Sequence, residues 1–224
     1  KPLVASSSID LVVSNCVLNL VNDTRKKQLF REIYRVLKHG GRAVISDIVA
    51  DQDVPAELKK NDELWTGCIS GALRRDRFLA AFAEAGFYGI QELSSSFWRS
   101  ESGQHFHSVT VAAYKGKEGP CWETYRNAYY VGPFSAVEDD DGHRYERGQS
   151  VPVCEKTARI LNREPYAGHF LVSEGLADES EQIHFDCSGN TRNGDISPAI
   201  RDAMNRSSGL ASGPSECGPE GNCC

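Results

Sequence analysis

A strand, a helix and a second strand follow one another near the start of the chain, and this order constrains the fold most. Ile9 to Ser14 is a short, apolar, β-branched run typical of a buried strand. Apolar residues at helical spacing follow, and Lys38 and Gly40 in "KHGG" predict the end of this helix. "RAVISDIV" predicts the next buried strand. A strand–helix–strand unit of this length predicts two parallel strands.

The next residues predict the remainder of an α/β sheet. Residues 54–73 are predicted to form a polar-then-apolar helical stretch, and "RDRFLAAFAEAGF" a further helix. Two strands, at about Gly89–Arg99 and Phe106–Lys115, are joined by "SESGQ", which is too short for a helical crossover, so we expect them to be antiparallel. The predicted fold is therefore α/β: the C-terminal part of a doubly wound, Rossmann-like sheet with an antiparallel hairpin at one edge.

A doubly wound fold that binds a nucleotide normally has a glycine-rich loop after its first strand. No G-x-G-x-x-G or G-x-G-x-G occurs in this sequence. We therefore expect the first strands, with that loop, to lie upstream of Lys1.

The composition changes after Lys115, which predicts three parts. Residues 1–115 would be the C-terminal half of the sheet domain. Residues 118–185, with aromatic and β-branched runs around an acidic Asp-Gly turn, are predicted to be a small β-rich accessory module of α+β type. Residues 186–224 are rich in Ser, Gly, Asn and Pro and are predicted to be a flexible, cysteine-containing tail.

Charge and cysteine content narrow the class of protein. The net charge of −6, with no basic stripe, argues against a nucleic-acid partner, and no apolar run approaches the roughly 20 residues that a membrane helix needs. The chain has eight cysteines and opens without a secretion signal. Cysteines in that setting more often bind soft ions or do redox chemistry than form structural disulfides, so we expect a cytoplasmic protein.

Two cysteines fall where a sheet of this kind binds ligands. Cys16 lies just past the end of the first predicted strand, and Cys68 lies in the segment after the neighbouring parallel strand. Ligands bind beyond the carboxyl ends of such strands, and neighbouring strands are about 4.8 Å apart, so the two thiols can meet there. A lone cysteine is more often an inert packing residue, and that alternative stays open for each.

Longer stretches around these cysteines resemble a known family. "REIYRVLKHGGR" followed by a strand is similar to class I S-adenosylmethionine-dependent methyltransferases, and "SNCVLNL" together with "LWTGCISGAL" resembles the arsenite methyltransferases. The resemblance covers roughly residues 9–115. It implies that Cys16 and Cys68 are thiolates that bind trivalent arsenic, with no further catalytic residue in this chain. It also implies that Ser14, Asn15, Cys16 and Val17 border bound S-adenosylmethionine, mostly through their backbone.

The same resemblance implies an activity and its partners. The reaction would be methylation of arsenite, bound as a thiol conjugate, with S-adenosylmethionine for arsenic detoxification. A thiol reductant such as thioredoxin or glutathione would recycle the arsenic. This chain alone is expected to be inactive, because the cofactor half and a third family thiol would lie upstream. Two alternatives stay open: a methyltransferase for a small quinone-type acceptor, and a non-catalytic, thiol-rich fragment that binds arsenite or a soft metal.

The remaining cysteines offer a second candidate site. Cys217, Cys223 and Cys224 in "CGPEGNCC" could capture arsenite or another soft ion on the tail. Cys154 lies near a predicted helix start and could equally be a packing residue. No role is assigned to Cys121 or Cys187.

Overall fold

The computed structural model describes residues 2–175 and 183–188 of the chain. The chain divides into two compact units, Lys1–Glu118 and Gly119–Cys224, close to the change of composition after Lys115. Most of the predicted tail, including its three cysteines, lies outside the described residues. The boundaries of the three parts, 1–115, 118–185 and 186–224, remain a prediction from the sequence.

The first unit contains one sheet with helices packed against it. Its elements in chain order are β1 (Ile9–Asn15), a 3-10 turn (Leu18–Leu20), α1 (Asp23–Val36), β2 (Leu37–Ala50), α2 (Ala56–Lys59), α3 (Asp62–Thr66), β3 (Leu73–Arg74), α4 (Arg75–Glu84), β4 (Tyr88–Glu101) and β5 (Gln104–Tyr114).

The strand order of this sheet is β1-β2-β5-β4, with the short β3 also paired to β2. Strands β1 and β2 are parallel, with Val13 opposite Val44. Strands β4 and β5 form an antiparallel hairpin, and β5 is antiparallel to β2. The predicted α/β sheet with a parallel pair and an antiparallel edge hairpin is therefore confirmed.

Helices α1 and α4 pack on this sheet through aromatic side chains. Phe30 of α1 meets Phe82 of α4 edge to face, with ring centroids 4.8 Å apart, and Phe78 lies 5.5 Å from Phe82. All three are almost fully buried, in one cluster with Ile45 of β2. Burial of this cluster is the main force that holds the helices against the sheet.

The first helix ends earlier than the sequence predicts. Helix α1 stops at Val36, and Leu37 is already extended and fully buried as the first residue of β2. Lys38 therefore does not lie at a helix end but donates to both carboxylate oxygens of Asp10, at 2.9 and 2.8 Å. Leu37 pairs with Ile9 of β1, which keeps it in the sheet and not in another helical turn.

The predicted helical stretch at 54–73 is also wrong in part. It forms two short helices, α2 and α3, because the side chain of Asn61 accepts hydrogen bonds from the N–H groups of Glu63 and Leu64 and begins a new helix. Helix α3 ends before Gly67. Cys68 consequently lies in a turn and not on a helix.

Strand β1 is less buried than its apolar sequence predicts. Leu11 is 45% exposed and Val13 is 66% exposed. Within the described part of the chain, β1 pairs with β2 alone, so its other edge and one of its faces are uncovered.

The second unit is built from short strands and one helix. Its elements are β6 (Arg126–Tyr130), β7 (Ala136–Glu138), β8 (Arg144–Glu146), β9 (Ser150–Val153), α5 (Glu155–Leu161) and β10 (Phe170–Val172). Strands β10, β6 and β9 form an antiparallel sheet, and β7 and β8 form a hairpin around the predicted Asp-Gly turn.

The core of the second unit contains Tyr145, Leu161 and Phe170. The carboxylate of Asp139 closes the β7–β8 turn by accepting hydrogen bonds from the ring Nδ1 of His143, at 2.8 Å, and from the hydroxyl of Tyr145, at 3.1 Å. Throughout the ranges that the structure describes, every helix falls short of the length and apolar character needed to cross a bilayer.

Candidate functional site

Cys16 and Cys68 both lie in turns with an unusual backbone. Cys16 directly follows β1, and its N–H donates to the carbonyl of Ser46 at 2.9 Å. Its φ angle is 51°, and that of Cys68 is 61°. Left-handed values are uncommon for residues other than glycine and cost on the order of 1–3 kcal/mol where the surrounding structure enforces them. Such strain is concentrated at functional sites.

The two turns bring the thiols together at the carboxyl ends of β1 and β2. The Sγ of Cys68 donates to the carbonyl of Cys16 at 3.3 Å. The two Sγ atoms and a carboxylate oxygen of Asp47 all lie within 4.8 Å of one another. Cys16 is half-buried and Cys68 is buried, and neither forms a disulfide. The structure thus juxtaposes the two cysteines that the sequence singled out.

Asp47 is the residue of this site that the sequence did not predict. It is fully buried at the end of β2, where its carboxylate accepts from the backbone N–H groups of Leu18 at 2.9 Å and Ile48 at 2.8 Å. The signal available in the sequence is its acidic side chain within the otherwise apolar run "AVISDIVA". A buried acid in such a strand needs partners, and their location depends on the tertiary fold.

The electrostatics of the site favour protonated thiols. Burial, followed by the nearby charge of Asp47, raises the pKa of Cys16, although a hydrogen bond from Cys68 partly offsets the rise. Burial, again followed by Asp47, raises the pKa of Cys68. The pKa of Asp47 is itself raised by burial, against the backbone hydrogen bonds it accepts. With no ion bound, both cysteines are therefore neutral thiols near pH 7.

Asn19 fixes the turn that carries Cys68. Its side-chain amide is buried and donates to the carbonyls of Ile48, at 2.6 Å, and of Cys68, at 3.0 Å. Gly71 passes so close that a Cβ atom there would lie 1.9 Å from the carbonyl oxygen of Asn19. The buried ammonium of Lys26 donates to the Gly71 carbonyl from the other side. The motif "SNCVLNL" therefore supplies both a thiol and the amide that positions its partner.

The residues predicted to border the cofactor lie at the same end of the sheet. Ser14 and Asn15 pair with Ile45 and Ser46 of β2. Asn15 and Val17 are exposed. That these residues border a cofactor stays a prediction.

The other three cysteines within the described ranges form a second group. The Sγ atoms of Cys121, Cys154 and Cys187 lie within 4.8 Å of one another in the second unit. The sequence placed Cys154 near a helix start, and its Sγ indeed accepts from the N–H of Thr157, at 3.4 Å, in the first turn of α5. Nothing in the spacing of these cysteines predicted that they would meet. The three tail cysteines, Cys217, Cys223 and Cys224, lie outside the described residues.

Two protein-family models match the chain. Residues 1–86 match a methyltransferase domain, and residues 117–197 match a domain of unknown function. The first match contains Cys16, Asp47 and Cys68, and the second contains the three cysteines of the second unit.

Curated relatives match most of the chain. The arsenite methyltransferase of Mus musculus is 32% identical over 181 residues, which are 76% of this chain and 48% of the relative. The arsenite methyltransferase of Aquipseudomonas alcaligenes is 33% identical over 180 residues, which are 74% of this chain and 51% of the relative. The chain therefore spans about half the length of these relatives.

A solved structure of an arsenic methyltransferase is also similar to this chain. The crystal structure of an arsenic(III) S-adenosylmethionine methyltransferase from Chlamydomonas reinhardtii superimposes with a TM-score of 0.51 and 27% identity, over 82% of this chain and 65% of that one. Sequence and fold agree over both units of the chain. Over about three quarters of its length, the chain is therefore similar to arsenite methyltransferases.

Proposed function

We propose that this chain carries the arsenic-binding part of an enzyme that methylates arsenite with S-adenosylmethionine, for arsenic detoxification. The observation that supports it best is the meeting of Cys16 and Cys68 beside Asp47 at the carboxyl end of the parallel strands. That is the edge at which α/β sheets bind ligands. The names of the relatives supply the substrate and the cofactor.

The thiol pair suits trivalent arsenic. Arsenic(III) is soft and thiophilic, and thiolates are the soft ligands that proteins offer. Two thiols can replace two hydroxyl groups of arsenous acid, so that two As–S bonds form, two waters leave and no electrons are exchanged. The carboxylate of Asp47 lies within 4.8 Å of both sulfur atoms, where it could accept a hydrogen bond from the remaining hydroxyl group.

Binding through sulfur leaves the arsenic lone pair free as a nucleophile. S-Adenosylmethionine would supply an electrophilic methyl group. No general base is needed for this step. Catalysis would rest on how the residues of this chain orient the arsenic toward the methyl group. The fixed turns at Cys16 and Cys68 serve that purpose. Methyl transfer oxidises the arsenic by two electrons, and a thiol reductant such as thioredoxin or glutathione would return them.

Ser14, Asn15, Cys16 and Val17 are the residues of this chain that would border the cofactor. The side chains of Asn15 and Val17 are exposed and therefore accessible to it. The backbone N–H of Cys16 is already bonded to Ser46, so contacts would come from its neighbours. Because the sequence contains no glycine-rich loop, we expect this chain alone to bind S-adenosylmethionine weakly and to be inactive.

The proposed compartment is the cytoplasm. The five cysteines within the described ranges are all free thiols, as expected in a reducing environment. The net charge of −6 argues against a nucleic-acid partner.

The first test isolates the proposed pair. In the 224-residue chain, Cys121, Cys154, Cys187, Cys217, Cys223 and Cys224 are replaced by Ser, so that Cys16 and Cys68 remain. We expect one equivalent of arsenic(III) per chain after desalting, with two As–S bonds by X-ray absorption. Adding Cys68→Ser should weaken retention at least a hundredfold, since a single thiol cannot chelate. Retention that survives Cys68→Ser would contradict the proposal.

The second test measures turnover in the protein that carries this chain. Cys16→Ser and Cys68→Ser should each lower arsenite methylation at least a hundredfold. A methyltransferase for a quinone-type acceptor would use these cysteines only for packing, so near-normal turnover in both variants would favour that alternative.

A further inference from the structure

Three cysteines that are far apart in sequence meet inside the second unit. Cys121, Cys154 and Cys187 are separated by more than 30 residues each, yet their Sγ atoms lie within 4.8 Å of one another. Cys154 is fully buried, and the other two are half-buried. All three fall within the match to the domain of unknown function.

Backbone hydrogen bonds beside each cysteine hold the three segments together. The N–H of Phe185 donates to the carbonyl of Cys121 at 2.8 Å, which joins the first segment to the last. The N–H of Glu155 donates to the carbonyl of Trp122 at 2.9 Å, which joins the first segment to the start of α5. A bridge between Trp122 and His184 reinforces the first of these junctions. The three cysteines therefore meet because backbone hydrogen bonds join the segments that carry them.

Two thiols of this group have pKa values shifted in opposite directions. Burial alone would raise the pKa of Cys121, but hydrogen bonds from Cys187 and from Lys156, together with the charge of Lys156, lower it overall. Burial and the hydrogen bond with Cys121 raise the pKa of Cys187.

We propose that Cys121, Cys154 and Cys187 form a second site, which holds trivalent arsenic through three sulfur atoms. Three thiols would replace the three hydroxyl groups of arsenous acid, so that three As–S bonds form, three waters leave and no electrons are exchanged. This inference rests on the proposed function for the identity of the ion. It concerns residues that the proposed methylation does not use.

The number of ligands favours arsenic over zinc. A structural zinc ion takes four ligands, and within the described residues no His, Asp or Glu joins the three sulfur atoms. Trivalent arsenic is saturated by three sulfurs and keeps a lone pair in the fourth position. Its three-thiolate complex is also neutral, which avoids the cost of burying a net charge beside the fully buried Cys154.

The test uses a variant of the 224-residue chain in which only this group is left. Cys16, Cys68, Cys217, Cys223 and Cys224 are replaced by Ser, and the protein is incubated with arsenite under reducing conditions and desalted. We expect one arsenic per chain with three As–S bonds by X-ray absorption. Because the Cys16–Cys68 pair is absent, the result is independent of the test of the proposed function.

Single substitutions in that background examine each ligand. Cys121→Ser, Cys154→Ser and Cys187→Ser should each lower the coordination to two sulfurs and raise the rate of arsenic loss at least tenfold. Ser is a preferred N-cap, so Cys154→Ser should keep α5 folded, and thermal unfolding checks this. The neighbouring substitution Ser188→Ala serves as the matched control and should leave retention unchanged.

Two results would overturn the inference. One is failure of the three-cysteine variant to retain arsenic while its thermal unfolding stays cooperative. The other is purification of the chain with one zinc per molecule that excess arsenite does not displace.

Discussion

Cys121 in the second thiol group and the two cysteines of the first group have pKa values shifted in opposite directions. Cys16 and Cys68 share their site with the buried carboxylate of Asp47, and burial together with that charge raises the pKa of both. Cys121 lies beside the cation of Lys156, and its pKa is lowered despite burial. Hydrogen bonds from Cys187 and Lys156 and the charge of Lys156 together outweigh burial at Cys121, whereas no cation contributes at Cys16 or Cys68.

The two groups also differ in how the backbone holds them. Cys16 and Cys68 both have left-handed backbone angles. The side chain of Asn19 and the close passage of Gly71 fix the turn of Cys68, and a hydrogen bond to Ser46 holds Cys16. Cys154 instead has ordinary extended angles at the start of α5. The Cys16–Cys68 pair depends on one crowded contact, between Gly71 and Asn19. The triad of Cys121, Cys154 and Cys187 depends on hydrogen bonds that join three segments. Substitutions should separate them cleanly.

Gly71→Ala should have the largest effect and should act on the pair alone. The added Cβ would lie 1.9 Å from the carbonyl oxygen of Asn19, so the turn that carries Cys68 must move. We expect a loss of about 2–3 kcal/mol in the free energy of unfolding, measured by urea titration. Arsenic retention by the pair should fall, and retention by the triad should stay the same.

Gly67→Ala is the matched control for this prediction. Gly67 precedes Cys68, but a Cβ there meets its nearest atoms at 3.6 Å, an ordinary contact, and the φ angle is −81°. The free energy of unfolding should change by less than about 0.5 kcal/mol. An equal loss in both variants would mean that the turn is sensitive to any side chain and not to the Asn19 contact.

The buried Asp47 of the first unit and the half-buried Asp139 of the second should respond oppositely to pH. Burial raises the pKa of Asp47, so its contribution to stability is present below its unfolded pKa of about 4 and is lost as the pH rises through the folded value. Hydrogen bonds from His143 outweigh burial and lower the pKa of Asp139, so its contribution is present above pH 4 and is lost in acid.

Replacing each aspartate by Asn tests this contrast. At pH 7, Asp139→Asn should cost about 1–3 kcal/mol, because His143 and Tyr145 lose a charged acceptor. Asp47→Asn should cost less than about 1 kcal/mol, because removal of a buried charge offsets a lost acceptor. Urea unfolding at pH 4 and pH 7 measures both. A larger loss for Asp47→Asn at pH 7 would contradict the assigned directions.

Thiol labelling should reveal the smallest difference. Cys16 and Cys121 are both half-buried, so charge should decide their relative rates. With iodoacetamide at pH 7, Cys121 should react about three- to tenfold faster, because its larger thiolate fraction is partly offset by lower nucleophilicity. The ratio, read by mass spectrometry of labelled peptides, should shrink toward pH 10. Equal rates at pH 7 would show that access, not charge, governs reactivity.

The sequence predicted the parts of the fold that depend on local pattern. Apolar spacing gave the parallel strands β1 and β2, and the short "SESGQ" connection gave the antiparallel hairpin. It also brought Cys16 and Cys68 to one edge, because the carboxyl ends of parallel strands share that edge. It failed at residues 54–73, where the side chain of Asn61 starts a new helix that apolar spacing does not reveal.

Features that arise from long-range pairing could not be predicted. Asp47 finds its partners in the turn after β1, nearly 30 residues away along the chain. Cys121, Cys154 and Cys187 meet because the first and last segments of the second unit pair with each other. The spacing of residues in one sequence does not reveal such pairing. The acidic Asp47 within an apolar run was the sequence signal for the first site, and cysteines without an assigned role were the signal for the second.

The uncovered edge of β1 affects how the chain behaves in solution. A strand edge flanked by exposed apolar side chains, here Leu11 and Val13, is a template for strand addition by another molecule. The chain on its own should therefore self-associate at high concentration. A charged substitution such as Val13→Lys should improve solubility without changing either group of thiols. It can therefore be used to limit self-association in the arsenic-binding experiments.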